Sequence, residues 1–179
     1  MSCTIAGVNV ASIYVTLDAR PEQFAAFTDL FKELAKAGSP ALICGDMNTS
    51  RDKCDSWSFV ESMKKRGYGC DPTAMGWFQD VFVCGWFDSI ELDWPGRPLY
   101  TWWAGSALFD RGDGTRLDYI LASESAQAKV VLGSSGVMTK NRFGGHAQIC
   151  LTLNQENARC DGHIGSRRTV RQPNVDPMD

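Results

Sequence analysis

Three short stretches hold the polar side chains whose types and spacing could do chemistry. In Gly45-Asp46-Met47-Asn48, directly after the apolar run 41–44, a carboxylate and a carboxamide stand two residues apart. That spacing lets both point into one cleft at a strand end, with Asp46 aiding an attacking water and Asn48 holding an oxyanion or a phosphate. The same residues also suit a plain turn, because Asp and Asn hydrogen-bond their own backbone there; spacing alone leaves both readings open. In Gly114-Thr115-Arg116-Leu117-Asp118-Tyr119-Ile120-Leu121 a carboxylate lies among the apolar residues of a strand. A buried, unpaired carboxylate is unfavourable, so Asp118 needs a metal, a histidine or an arginine beside it. Arg116, two residues away on the same strand face, is the local candidate. In Phe143-Gly144-Gly145-His146, one of the two histidines of the chain follows glycines that let backbone approach a ligand closely. A lone histidine also reads as structural, and His163, in the polar C-terminal stretch, receives no role.

The elements that must position these groups can be read from periodicity. Residues 8–15 form a β-branched run, and residues 21–37 place Phe24, Phe27, Leu30, Phe31 and Leu34 at helical spacing before Gly38-Ser39-Pro40 stops the helix. Residues 41–44 read as a buried strand, so Asp46 sits at its carboxyl end. Residues 56–66 read as a helix with Trp57, Val60 and Met63 on one side, 77–90 as an aromatic-rich stretch, and 93–98 as a loop. Residues 100–103 read as strand-like, 116–122 as a strand and 148–153 as the last strand. Short strands interleaved with helices predict a layered α/β fold. Residues 1–154 form the expected domain, and 155–179 a polar, disordered tail.

Composition narrows the classes. The 179 residues suit one domain that can bury a core, and 44% hydrophobic with 22% charged residues is ordinary globular composition. A net charge of -3 argues against a surface that coats DNA indiscriminately, so any nucleic-acid contact must be local. Seven cysteines without a CxxC pair predict free thiols in a reducing compartment rather than a disulfide framework or a zinc site. No segment reaches the roughly 20 apolar residues of a membrane span. The expectation is an intracellular protein, cytoplasmic or nuclear, with no membrane partner.

Taken in order, G-D-M-N, Y-T-W-W, R-L-D-Y-I-L and G-H before a terminal strand resemble the exonuclease III type of abasic-site endonuclease, within the endonuclease/exonuclease/phosphatase superfamily. The resemblance covers residues 8–153 and implies a DNase I-like α/β sandwich, incomplete at its N-terminal side. It implies that Tyr14 lies near the scissile phosphate, that Asp46 generates or positions the nucleophile, and that Asn48 binds the phosphate. It further implies that Asp118 organises His146, which contacts the phosphate and stabilises developing charge. Trp102 and Trp103 would shape the nucleotide pocket, with plain core as the equal alternative, and Arg116 would join them in binding substrate. The implied cofactor is Mg²⁺ or Mn²⁺, held by Asp46 and Asn48, and the implied partner is DNA, with RNA as a second polymer.

Two departures carry consequences. The family pattern begins with an Asn-containing strand and a metal-binding Glu that find no place ahead of residue 8. An incomplete sheet would expose an apolar face for a partner chain or a second copy to cover. The family motif Ser-Asp-His is here Gly144-Gly145-His146, which implies that His146 lacks its orienting carboxylate. Three functions therefore follow: a Mg²⁺-dependent phosphodiesterase on DNA, weak or inactive as this chain; a non-catalytic nucleic-acid-binding or interaction module; or a phosphatase or RNase of the same superfamily.

Overall fold

The computed structural model describes residues 2–52, 55–56 and 69–154. Apart from Ser56, which bridges to Thr115, the helix expected over 56–66 lies outside these residues, as does the tail expected over 155–179.

Strand β1 (Ser2–Ile5) is not among the expected elements. It turns through Ala6 and Gly7, both at positive φ (50° and 72°), into antiparallel β2 (Val8–Tyr14). Two left-handed residues in a row match the twist of a tight hairpin. Helix α1 (Pro21–Lys36) starts with Pro21, whose ring presets φ, while the Gln23 side chain accepts the Arg20 N–H at 2.8 Å. Leu30, read with the apolar stripe, is partly exposed on the outer flank. Strand β3 (Ala41–Asp46) runs parallel to β2. Helix α2 (Pro72–Val83) is capped by Asp71, whose Oδ1 accepts the Thr73 and Ala74 N–H groups. Strand β4 (Trp86–Asp88) leads into the short helices α3 (Ser89–Asp93) and α4 (Ser106–Asp110). Strand β5 (Asp118–Ser123) pairs antiparallel with β3 and β4, giving a five-stranded sheet in the order β1-β2-β3-β5-β4. After α5 (Glu124–Gln127), β6 (Gly136–Phe143) and β7 (His146–Cys150) form a separate two-stranded sheet.

The two-residue period of the strands divides the core. Ile43, Tyr119 and Leu121 face α1 and α2 and pack with Phe24, Phe31, Trp77, Phe78, Val81 and Trp86. Val8, Leu42, Ile120 and Ala122 face the other way, with Ala126 and the half-buried Val10, Cys44 and Ile149. The expected layered α/β class is therefore what the chain forms. Its second face, backed by the β6–β7 hairpin, carries fewer large residues than the helix face.

Local expectations shift in two places. Residues 100–103 are not a strand: Trp102 alone makes single bridges, to Thr115 and His146. The last strand begins at His146 rather than near residue 148, and β6, which sequence periodicity does not reveal, is its partner.

Candidate active site

Strand register brings three of the singled-out residues side by side. Tyr14 pairs with Asp46 across β2 and β3, and Asp46 pairs with Asp118 across β3 and β5. Directly paired residues share a face of a sheet, here the face opposite α1 and α2. Gly45 makes this register attainable: its φ is +147°, and a Cβ there would lie 1.9 Å from the Ile13 carbonyl oxygen. The strand thus needs glycine next to the carboxylate.

His146 reaches the same place from the start of β7. Its Nδ1 lies 2.9 Å from Asp118 Oδ2 and its Nε2 lies 4.0 Å from Asp46 Oδ2. The Ser-Asp-His departure implies an imidazole without its carboxylate, whereas the resemblance also places Asp118 beside it; the structure has Asp118, 28 residues earlier, against Nδ1, so the imidazole does face a carboxylate. Asp118 also does not pair with Arg116. Among the described residues, Asp46, Asp118 and His146 are the group of acidic and imidazole side chains near enough to share one cation, each with a ligand atom within 4.8 Å of the others.

Burial and the facing charges set the protonation of Asp46. Burial pushes its carboxyl up to about 6, the Asp118 charge adds to this, and the Asn48 N–H at 2.8 Å and His146 oppose it. Asn48 sits in the left-handed region at φ 48°, which asparagine tolerates better than most residues. Its Nδ2 donates to the Val15 carbonyl at 2.7 Å, tying the 46–48 turn to the end of β2. Tyr14 is 62% exposed at that end.

The remaining candidates separate. Trp102 is half-buried, with its ring 6.3 Å from the His146 ring, so it borders the group. Trp103 is buried against Phe109 in an edge-to-face contact at 5.0 Å, the core alternative for that residue. Arg116 is corrected as a substrate-binding residue, because it is fully buried. Its Nη2 lies 2.6 Å from Asp88, its Nη1 lies 3.8 Å from Asp55, and its guanidinium stacks 4.6 Å from the Tyr119 ring. Sequence reasoning missed Asp55 and Asp88, which no motif marks, and also Thr101, which lies inside the Y-T-W-W stretch and bonds to the backbone of Asp118.

Residues 5–137 match the Endonuclease/Exonuclease/phosphatase family. The chain belongs to that family. Tyr14, Asp46, Asn48, Trp102, Trp103, Arg116 and Asp118 all lie inside the matched span, and His146 lies just past it. Among solved structures, the 3′ phosphatase NExo from Neisseria bound to a product DNA hairpin superposes with a TM-score of 0.72 at 24% identity, over 86% of this chain and 63% of that one. The 3′-5′ exonuclease NExo from Neisseria meningitidis gives 0.70 at 25% identity, over 86% and 64%. An AP endonuclease from Archaeoglobus fulgidus gives 0.67 at 20% identity, over 86% and 64%. These likenesses establish the DNase I-like fold, and this chain spans somewhat less than two thirds of each structure's length. No curated protein sequence matches the chain. Among the described residues, no helix is long and apolar enough to cross a membrane.

Proposed function

We propose that this chain carries a divalent-metal-dependent phosphodiesterase site that acts on DNA, of the abasic-site endonuclease or exonuclease type. One observation carries the reading: two carboxylates and an imidazole from β3, β5 and β7 converge on one face of a strand end, with ligand atoms within 4.8 Å. Hydrolysis of a phosphodiester needs an aligned water, a base, and positive charge facing the pentacovalent anion. Asp46, at the carboxyl end of β3, takes the proton of the attacking water at neutral pH. The Asp118 carboxylate accepts from His146 Nδ1–H and fixes the ring; as the imidazolium, His146 would also donate its Nε2–H to a phosphate oxygen. Asn48 and Tyr14 flank the same strand ends and would contact the phosphate and the sugar-phosphate backbone.

The donor set fits a hard cation. Two carboxylates in register on one face, one of them made reluctant to ionise by burial and by the other's charge, are relieved by a divalent ion with oxygen preference. Asp46 and Asn48 would hold Mg²⁺ or Mn²⁺, with Asp118 alongside. Once bound, the ion would neutralise charge on the phosphate and lower the pKa of a bound water.

DNA is favoured as the substrate because the solved relatives include a DNA-bound phosphatase and an AP endonuclease. RNA remains the second polymer. An intracellular setting, cytoplasmic or nuclear, is proposed from the free thiols. A partner chain or second copy is proposed over the half-buried apolar side chains Val10, Cys44 and Ile149, since more than a third of each relative's length has no counterpart here.

The test is cleavage of an abasic-site duplex and of a 3′-phosphate duplex with Mg²⁺, by the wild type and by Asp46→Ala. The expected result is metal-dependent cleavage that falls by on the order of 10²–10⁴ in the variant. Cleavage that persists in Asp46→Ala would place the chemistry elsewhere. Calorimetric DNA binding that needs no Mg²⁺, with no cleavage by the wild type, would favour the non-catalytic binding module instead.

A further inference from the structure

We propose that Thr101 is a positioning residue for this reaction, because its side chain and carbonyl together set the separation between Asp118 and His146. The inference rests on the phosphodiesterase reading of the site. Thr101 is fully buried and is not one of the three side chains near enough to share a cation; its contacts with Asp118 and with the residue after His146 run through the backbone. Its Oγ1 accepts the N–H groups of both Leu117 and Asp118, each at 3.0 Å. Its carbonyl accepts the N–H of Ala147, the residue after His146, at 2.7 Å. Its own N–H donates to the Thr115 carbonyl at 3.1 Å.

Asp118 and His146 belong to different sheets, so no strand ladder joins them. Among the described residues, Thr101 bonds to the backbone of Asp118 and of Ala147 at once. Its hydroxyl also gives a partner to two backbone N–H groups at the start of β5, and buried N–H groups without a partner are costly. A valine of the same shape could not do this.

The segment around Thr101 has no room to slide. Trp102 exchanges backbone hydrogen bonds with Thr115 at 2.9 and 2.8 Å, and the Trp103 N–H donates to the Gly145 carbonyl at 3.1 Å. Glycines line both sides of it. A Cβ on Gly114 would lie 2.5 Å from Trp103 Nε1 and 2.6 Å from Tyr100 Cβ, and one on Gly145 would lie 2.8 Å from the Trp103 carbonyl oxygen. Closely packed backbone transmits a displacement instead of absorbing it. Losing the Oγ1 bonds would therefore move the start of β5 relative to β7, and with it the 2.9 Å contact between Asp118 and His146. Reacting groups misplaced by an ångström lose rate steeply.

The test compares Thr101→Val, which keeps shape without an acceptor, with Thr101→Ser, which keeps the acceptor and loses a methyl group. Two readouts are taken at a temperature where thermal melts show all forms folded. The first is kcat and KM for Mg²⁺-dependent cleavage of an abasic-site duplex. The second is the downfield imidazole N–H proton of His146 in NMR spectra of the metal-free protein, assigned by its loss in His146→Gln. Thr101→Val is expected to lower kcat by about tenfold or more, to leave KM within about threefold, and to lose or broaden that resonance. Thr101→Ser is expected to retain kcat within about threefold and to keep the resonance, although it removes packing as valine does not. If the valine form does not fold, Thr101→Ala replaces it in the same comparison. The inference is overturned if valine leaves kcat and the resonance unchanged, or if serine is impaired as much as valine. If the wild type cleaves nothing, the phosphodiesterase reading fails, and the resonance alone decides the positioning role: lost in valine and kept in serine supports it, unchanged in both overturns it.

Discussion

Asp46 answers two demands that oppose each other. A carboxyl pushed up to about 6 is a useful base near neutral pH, yet its ionisation works against the fold. The folded value lies above the ordinary 3.8, so the stabilising contribution is complete below about 4 and is lost as pH rises through about 6. In chelator and without divalent cations, the Tm difference between Asp46→Asn and wild type should therefore grow in favour of the variant from about pH 4 to pH 7. Parallel melting curves across that range would show that burial does not hold the carboxyl up. The catalytic rate should instead rise on the acid limb with a midpoint below about 6, because Asp46 must be ionised to accept a proton and a divalent ion held beside it favours the carboxylate. Asp118 makes the complementary case. Replacing it with Asn keeps a hydrogen-bonding group beside His146 Nδ1 but accommodates the other tautomer, so kcat should fall by on the order of 10²–10⁴ with little change in Tm. Equal kcat in Asp118→Asn would remove the imidazole from the chemistry. Of these residues, Asp46 and Asn48 were legible because turn formers after an apolar run mark a strand end. The partner of Asp118 was not legible from spacing: Arg116 stands two positions away but bonds to Asp88, whereas His146, 28 residues on, is brought in by β7.

At the scale of elements, the chain shows why glycine stands where the family motif has a carboxylate. Gly145 has φ +89°, and a Cβ there would crowd the Trp103 carbonyl oxygen at 2.8 Å. Restoring the family residue with Gly145→Asp should therefore damage the protein. A side chain in that backbone region costs about 1–3 kcal/mol, and for a chain of this size the Tm should fall by roughly 2–12 °C. Cleavage should drop with it, and a gain in activity would mean that the hairpin can relax into the family geometry. The Arg116 network joins β4, β5 and the loop at residue 55. Arg116→Ala would take the nearer guanidinium from the buried Asp88 and Asp55, leaving Arg51 at 3.9 Å from Asp88, and should cost up to about 3–5 kcal/mol in urea unfolding. A loss below about 1 kcal/mol would show that Arg51 or water compensates for the missing guanidinium. Periodicity marked β2, α1, β3 and β5 because each carries its apolar residues at a regular spacing that burial enforces. It did not mark β6, whose sequence Gly-Val-Met-Thr-Lys-Asn-Arg-Phe has no alternation, nor the 100–103 segment, whose order comes from Thr101 and its neighbours rather than from a strand ladder.

For the molecule as a whole, charge and layering bound what the site can do. The 18 Lys and Arg residues are outnumbered by 21 Asp and Glu, so cations that displace counterions from DNA must act locally. Binding should therefore weaken with salt along a shallow log-log slope of about -2 to -4, corresponding to two to four phosphate contacts. A slope near -8 would reveal more phosphate contacts than a local site makes. The layered α/β class could be read from sequence because strands and helices alternate, whereas the division of the core into a full helix face and a thinner second face depends on long-range pairing. That thinner face is where Tyr14, Asp46, Asp118 and His146 meet. Whether Asp118 and His146 act as one unit is tested most directly by a double-mutant cycle in single-turnover cleavage of an abasic-site duplex with Mg²⁺. The account predicts that Asp118→Asn, His146→Gln and the double variant lose nearly the same factor, because removing either member disables the shared function. Losses that multiply in the double variant would contradict it.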